Sequence, residues 1–128
     1  MKCSIVDIHT HRPTGKALEP SFAGIHPWQA ETRRIEEIVP RFGEVDLVGE
    51  IGLDYHYEDP PRDVQQRAFR LQMALAQELS MPVVIHERKA HEDGLRIIDE
   101  FPDVKGVFHC FSGSYEMAKA VSYTHLTL

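Results

Sequence analysis

Six side chains able to hold a metal ion recur in one sequence context. Val6-Asp7-Ile8-His9-Thr10-His11 is a short apolar run that ends in two histidines one residue apart. Alternate side chains of an extended strand share a face, so His9 and His11 project together and their imidazoles converge. His26 follows Phe22-Ala23-Gly24-Ile25, Glu50 follows Val45 to Val48 across Gly49, His86 follows Val83-Val84-Ile85, and His109 follows Gly106-Val107-Phe108. Neutral imidazoles offer directional nitrogen ligands and a carboxylate offers two oxygens, a donor set that admits Zn²⁺, Mn²⁺ or Mg²⁺. Each residue taken singly has a plainer use: His26 can cap a turn, Glu50 can be a solvated carboxylate, and His86 and His109 can be satisfied core histidines. Their shared position, each where an apolar run gives out, points instead to a metal site.

Such a site needs elements that bring distant residues to one place. Between the apolar runs the period changes from strand-like to helical. Ile35, Ile38, Val39 and Phe42 recur at helical spacing, with Pro40 and Gly43 closing that helix. Asp59-Pro60-Pro61 combines a capping residue with prolines suited to a first turn. From it a longer helix is expected to bury Val64, Ala68, Leu71, Leu75 and Leu79, ending at Met81-Pro82. A further helical pattern carries Leu95, Ile98 and Phe101, and Ser114 can cap a last one through Met117, Ala118 and Val121. Runs such as Val83-Val84-Ile85 suit strands buried on both faces of a parallel sheet. The expected class is therefore α/β with a parallel sheet; in a (β/α) barrel of the TIM type, all strand C-termini would open onto one face.

Composition bounds the rest. The chain has 128 residues, 42% hydrophobic and 27% charged, as expected for a soluble globular domain or part of one. Its formal charge is −6, which argues against general polyanion binding, so any phosphate ligand must be held locally. Cys3 and Cys110 form no recognisable framework, no signal-peptide core precedes Asp7, and no run reaches membrane-spanning length. A cytoplasmic protein is expected.

The pieces "DIHTH", "GIHPW", "GEIGLDY", "MPVVIHERKA" and "VFHCFSGS" resemble, in order and at suitable spacing, the TatD family of metal-dependent hydrolases and deoxyribonucleases. The resemblance implies a (β/α) barrel, a centre of two divalent metal ions and hydrolysis of phosphodiesters, with DNA ends as substrate in a 3'-5' exonuclease manner. It also implies roles: His9 and His11 on one metal, Glu50 bridging two, His86 and His109 completing the second site, and Glu50 and His109 as the catalytic pair. Gly49 and Gly52 would let backbone pass close to the centre. His26 and Asp54 would stand behind the ligands or on the substrate side, and Arg88 would reach a phosphate oxygen.

Two departures from the family pattern stand out. The segment between His11 and Gly24 is short, and the family's later aspartate, in an E-T-D motif, has no counterpart. A complete barrel takes about 250 residues, whereas about five strands are expected here. Residues 1–120 thus read as part of a barrel, and the isolated chain is expected to have little or no activity. Residues 121–128 resemble a reading frame through a transposon end used in sequencing libraries and read as a non-native tail, so His125 is left out of the ligand set. Two alternatives remain open: a non-catalytic metal-binding or interaction module, and a related amidohydrolase or phosphomonoesterase.

Overall fold

A computed structural model describes residues 21–109 and the strand Leu126–Thr127. Five strands, β1 (Phe22–Ala23), β2 (Leu47–Asp54), β3 (Val83–Arg88), β4 (Gly106–His109) and β5 (Leu126–Thr127), form one sheet in sequence order. Every neighbouring pair is parallel. The helices α1 (Ile35–Ile38), α2 (Arg62–Leu79) and α3 (His91–Asp99) lie in the three crossovers from β1 to β4. The α/β class and four of the expected strands are therefore present. The expected first strand, with His9 and His11, and the helix expected after Ser114 lie outside the described residues. So does the segment between His11 and Gly24 as far as residue 20. Strand β5, within the stretch read as a tail, pairs with Gly106 and Val107.

The first expected helix is shorter than its spacing suggested. It makes one α-turn and passes at Val39 into a 3₁₀ segment that runs to Glu44. Pro40 brings no N–H to an α-helical ladder, which favours the tighter turn. Ile38 and Phe42 still reach the core. Asp59 does not cap α2 either: the capping position is Pro61, with no side-chain bond to the helix start.

The larger correction concerns the face of α2. Leu71 and Leu79 are 45% and 48% exposed, and the buried positions are Gln65, Phe69, Gln72, Met73 and Ala76. The helix is turned about one residue from the apolar stripe because its two glutamines have buried backbone to satisfy. Gln65 accepts from the Asp54 N–H at 2.7 Å and donates to the carbonyls of Asp54 and Pro60. Gln72 accepts from the Ile25 N–H at 2.6 Å and donates to the carbonyls of Ile25 and Ala68. Strand ends carry backbone groups that the ladder leaves unpaired, and an amide side chain offers both a donor and an acceptor to meet them. Phe69 and Met73 between them join the core of Ile51, Leu53, Val83, Ile85 and Ile97, each contributing about 1.5–3 kcal/mol by burial.

Beyond β3, the buried Glu87 carboxylate accepts the Ala90 N–H at 2.6 Å and faces the His91 Nδ1 at 2.5 Å. That anchors the entry to α3, whose Ile97 and Ile98 are fully buried.

Candidate metal centre

The carboxylate of Glu50 lies at the centre of the cluster. Sequence spacing suggested a strand ending near Val48, but β2 continues to Asp54, and Glu50 is its irregular point. Gly49 pairs with Val84 and Ile51 with Ile85, which leaves Glu50 as the extra residue of a bulge. Bulges re-aim a side chain without ending the strand. Gly49 and Gly52 are both required by close approach of the adjacent strand. A Cβ on Gly49 would stand 2.8 Å from the Val84 carbonyl oxygen. Gly52 has φ +137°, and a Cβ there would run into the carbonyl of His86.

Three imidazoles, from β3, β4 and the segment after β1, surround Glu50, which is only 9% exposed. His86 Nδ1 lies 3.2 Å and His26 Nε2 3.3 Å from Oε1, while His109 Nδ1 lies 2.8 Å from Oε2. His86 and His109 are register partners on β3 and β4, so the ladder itself sets them side by side.

Asp54 fixes the orientation of His86. Its Oδ2 receives His86 Nε2 at 2.9 Å and the Trp28 indole N–H at 3.1 Å, and its Oδ1 accepts the His56 N–H at 3.0 Å. Burial by itself would raise the Asp54 pKa, but the bonds from His86, the His56 backbone and Trp28 hold the carboxyl below its usual range. Burial likewise opposes protonation of His86, and its bonds to Glu50 and Asp54 outweigh that, so the ring titrates above an ordinary histidine.

These contacts test whether the site suits a cation. With its Nε2 proton given to Asp54, a neutral His86 turns the lone pair of Nδ1 toward Glu50 Oε1. Two acceptors 3.2 Å apart repel unless a proton or a metal ion stands between them. A histidine whose far nitrogen is bonded to a carboxylate is the usual support for a metal ligand. The donor set therefore fits a divalent cation.

His26 offers a third nitrogen within 4.8 Å of the Glu50 and His86 ligand atoms, but its ring is already committed. Its Nδ1 accepts the Trp28 N–H at 3.1 Å and caps the 3₁₀ turn Pro27–Gln29. The neutral ring then carries its proton on Nε2, where it is a donor toward Glu50 rather than a ligand. Capping a turn and serving the site thus fall to opposite edges of one ring.

Among the expected site residues, Glu50, His86, His109, His26 and Asp54 are thus brought together. Arg88, two residues beyond His86 on β3, is half-buried, and its guanidinium makes no hydrogen bond or ion pair among the described residues. His9 and His11 lie outside the described residues. Residue spacing gave no role to Trp28, Gln65 or Gln72. The glutamines could have been found from their place in the series 65, 69, 72, 76, which has its own helical period beside the apolar one.

A parallel α/β sheet that gathers a carboxylate and imidazoles toward one edge matches the hydrolase-barrel class and offers a candidate metal site. The family model of TatD related DNases matches residues 14–127, and the chain belongs to that family. It is 46% identical over 78 residues to the uncharacterized metal-dependent hydrolase YabD of Bacillus subtilis (strain 168), covering 59% of this chain and 31% of that protein. Over 103 residues it is 38% identical to the 3'-5' ssDNA/RNA exonuclease TatD of Citrobacter koseri, covering 75% of this chain and 40% of the relative. Among solved structures, the hydrolase TatD family protein of Entamoeba histolytica matches with a TM-score of 0.71 at 26% identity, over 82% of this chain and 39% of that one. The TatD homolog YJJV of Escherichia coli matches with a TM-score of 0.65 at 31% identity, over 76% of this chain and 40% of that one. The chain thus spans about 40% of the length of most of the relatives named. None of the described helices is long and apolar enough to cross a membrane.

Proposed function

We propose that this chain carries the metal-holding strand ends of a metal-dependent phosphodiesterase that acts on nucleic-acid ends in the 3'-5' direction. The observation that carries the reading is the buried Glu50 carboxylate, each of whose oxygens faces imidazole from a neighbouring strand. Glu50, His86 and His109, with His9 and His11, would hold two divalent ions, with Mg²⁺, Mn²⁺ and Zn²⁺ all compatible with the donors. Such ions supply Lewis-acid polarisation of a phosphoryl oxygen and activation of water.

The chain's own residues do the rest. Asp54 holds the His86 ring so that Nδ1 faces the site. His26 presents an Nε2–H beside Glu50, from which a phosphoryl oxygen can accept a hydrogen bond. Arg88, on the same strand as His86, supplies fixed positive charge for a phosphate in an otherwise acidic chain. The hydrolase names and the exonuclease names of the relatives support this reading.

Calorimetric titration with Mn²⁺ tests it. The chain should bind the ion, Glu50→Gln should lose at least about tenfold in affinity, and any cleavage of single-stranded DNA should fall with bound metal. A chain that binds no divalent ion, or that cuts DNA equally well as Glu50→Gln, rules the proposal out.

A further inference from the structure

Two large aromatic side chains among the described residues are mostly exposed, Trp28 at 53% and Tyr57 at 69%. Both sit just beyond strand C-termini: Trp28 after β1, and Tyr57 after β2. They therefore share the rim on which Glu50 and its histidines stand. Exposure of an indole to water is unfavourable, and a solvent-facing tryptophan beside a polar cluster calls for an explanation.

The Trp28 ring is held rigidly. Its backbone N–H is bonded to His26 Nδ1, and its indole N–H to Asp54 Oδ2 at 3.1 Å. It meets the His26 ring at 4.8 Å and the His86 ring at 6.3 Å, with interplanar angles of 62° and 66°. Neither imidazole stacks parallel upon it. The indole, about half exposed, is thus fixed beside the candidate metal ligands, and fixing it in advance lowers the entropy cost of using it.

We propose that Trp28 is a stacking platform for an unpaired nucleobase next to the phosphate held at the metal centre. Tyr57 extends the same rim for a neighbouring base. Aromatic faces take any base, so such a platform gives grip on single strands without sequence preference. A duplex keeps its bases stacked on one another and cannot offer the face. The inference rests on the proposed nucleic-acid substrate and adds to it the part of the substrate that is gripped.

Trp28 is the one tryptophan of the chain, so its fluorescence reports the contact directly. The chain is titrated, with Ca²⁺ present, with a short oligothymidylate and with an abasic deoxyribose-phosphate strand of the same length. The base-bearing strand should quench Trp28 and bind tighter. Followed by anisotropy of a labelled strand, Trp28→Ala should weaken oligothymidylate binding roughly 5- to 100-fold and leave the abasic strand unchanged. Trp28→Phe, which keeps a ring but not the bond to Asp54, should recover most of the loss. Mn²⁺ affinity of each variant separates lost stacking from a disturbed Asp54. Equal affinity of the two strands, or a Trp28→Ala loss shared by the abasic strand, overturns the stacking role and leaves the phosphodiesterase reading intact. Failure of both strands to bind overturns the inference together with the nucleic-acid reading on which it rests.

Discussion

Replacing Gln65 with leucine should destabilise the chain far more than replacing Leu71 with glutamine, although hydrophobicity alone predicts the reverse. Gln65 is fully buried and serves three backbone groups, the Asp54 N–H and the carbonyls of Asp54 and Pro60, at 2.7–2.9 Å. Leucine fills much of the same volume but pairs with none of them. A buried polar group left without a partner costs about 1–3 kcal/mol, and the added hydrocarbon returns about 1 kcal/mol. The net loss for Gln65→Leu is then about 4 kcal/mol, against total stabilities of about 5–15 kcal/mol for single domains. Leu71, already 45% exposed, should tolerate glutamine within about 0.5 kcal/mol. Urea unfolding followed by far-UV circular dichroism measures both. With a slope of about 2 kcal/mol per molar, Gln65→Leu should move the midpoint down by about 2 M. A Leu71→Gln variant less stable than Gln65→Leu would show that α2 presents the other face, and the reasoning would fail.

Two other outcomes follow from the charged groups. Asp54→Asn should leave the fold intact but place an amide N–H against at least one donor among His86, Trp28 and His56, weakening Mn²⁺ binding about 10- to 100-fold; unchanged affinity in a calorimetric titration would remove Asp54 from its orienting role. Arg70 bonds Glu100 at 2.8 Å and holds its pKa below the usual carboxylate value. The stabilisation from that lowered pKa is present above the unfolded pKa of Glu100 and is lost as pH falls through the folded one. Both side chains are about 40% exposed, so solvent screening limits the pair to about 0.2–1 kcal/mol. Arg70→Gln should therefore be slightly less stable than the parent at neutral pH and equal to it in acid, and a gap that widened on acidification would contradict the sign.

The ligand positions were legible because each apolar run stops at a residue that has no business in a core, although only β4 ends there: β1 stops at Ala23, and β2 and β3 run on to Asp54 and Arg88. His26, His86 and His109 could be placed from that alone, and parallel pairing then brought the last two into register. Glu50 was legible as a residue type but not as a bulge, since Gly49 and Gly52 break the apolar run and disguise a strand that continues to Asp54. Their glycine character answers to the carbonyls of Val84 and His86 on the adjacent strand, a long-range demand that local spacing does not carry. The same limit explains α2. An apolar stripe reads as a core face, and only the unpaired backbone of Ile25 and Asp54 shows why glutamines displaced it. Pro40 shortened α1 where the side-chain period alone extended it.

The two glutamine clasps stand two helical turns apart on α2, and each closes on a residue at the rim, Ile25 just before His26 and Asp54 itself. Hydrocarbon packing lets a helix slide or roll a little at small cost, because many neighbouring arrangements bury similar area. Two amides that must each find a donor and an acceptor allow no such slack. The helix therefore works as a ruler that sets the distance between two loops of the rim. A single residue inserted between positions 65 and 72 would turn one clasp about 100° away from the other, so errors of length in a helix remote from the chemistry would be read out as misalignment of His26 against Asp54.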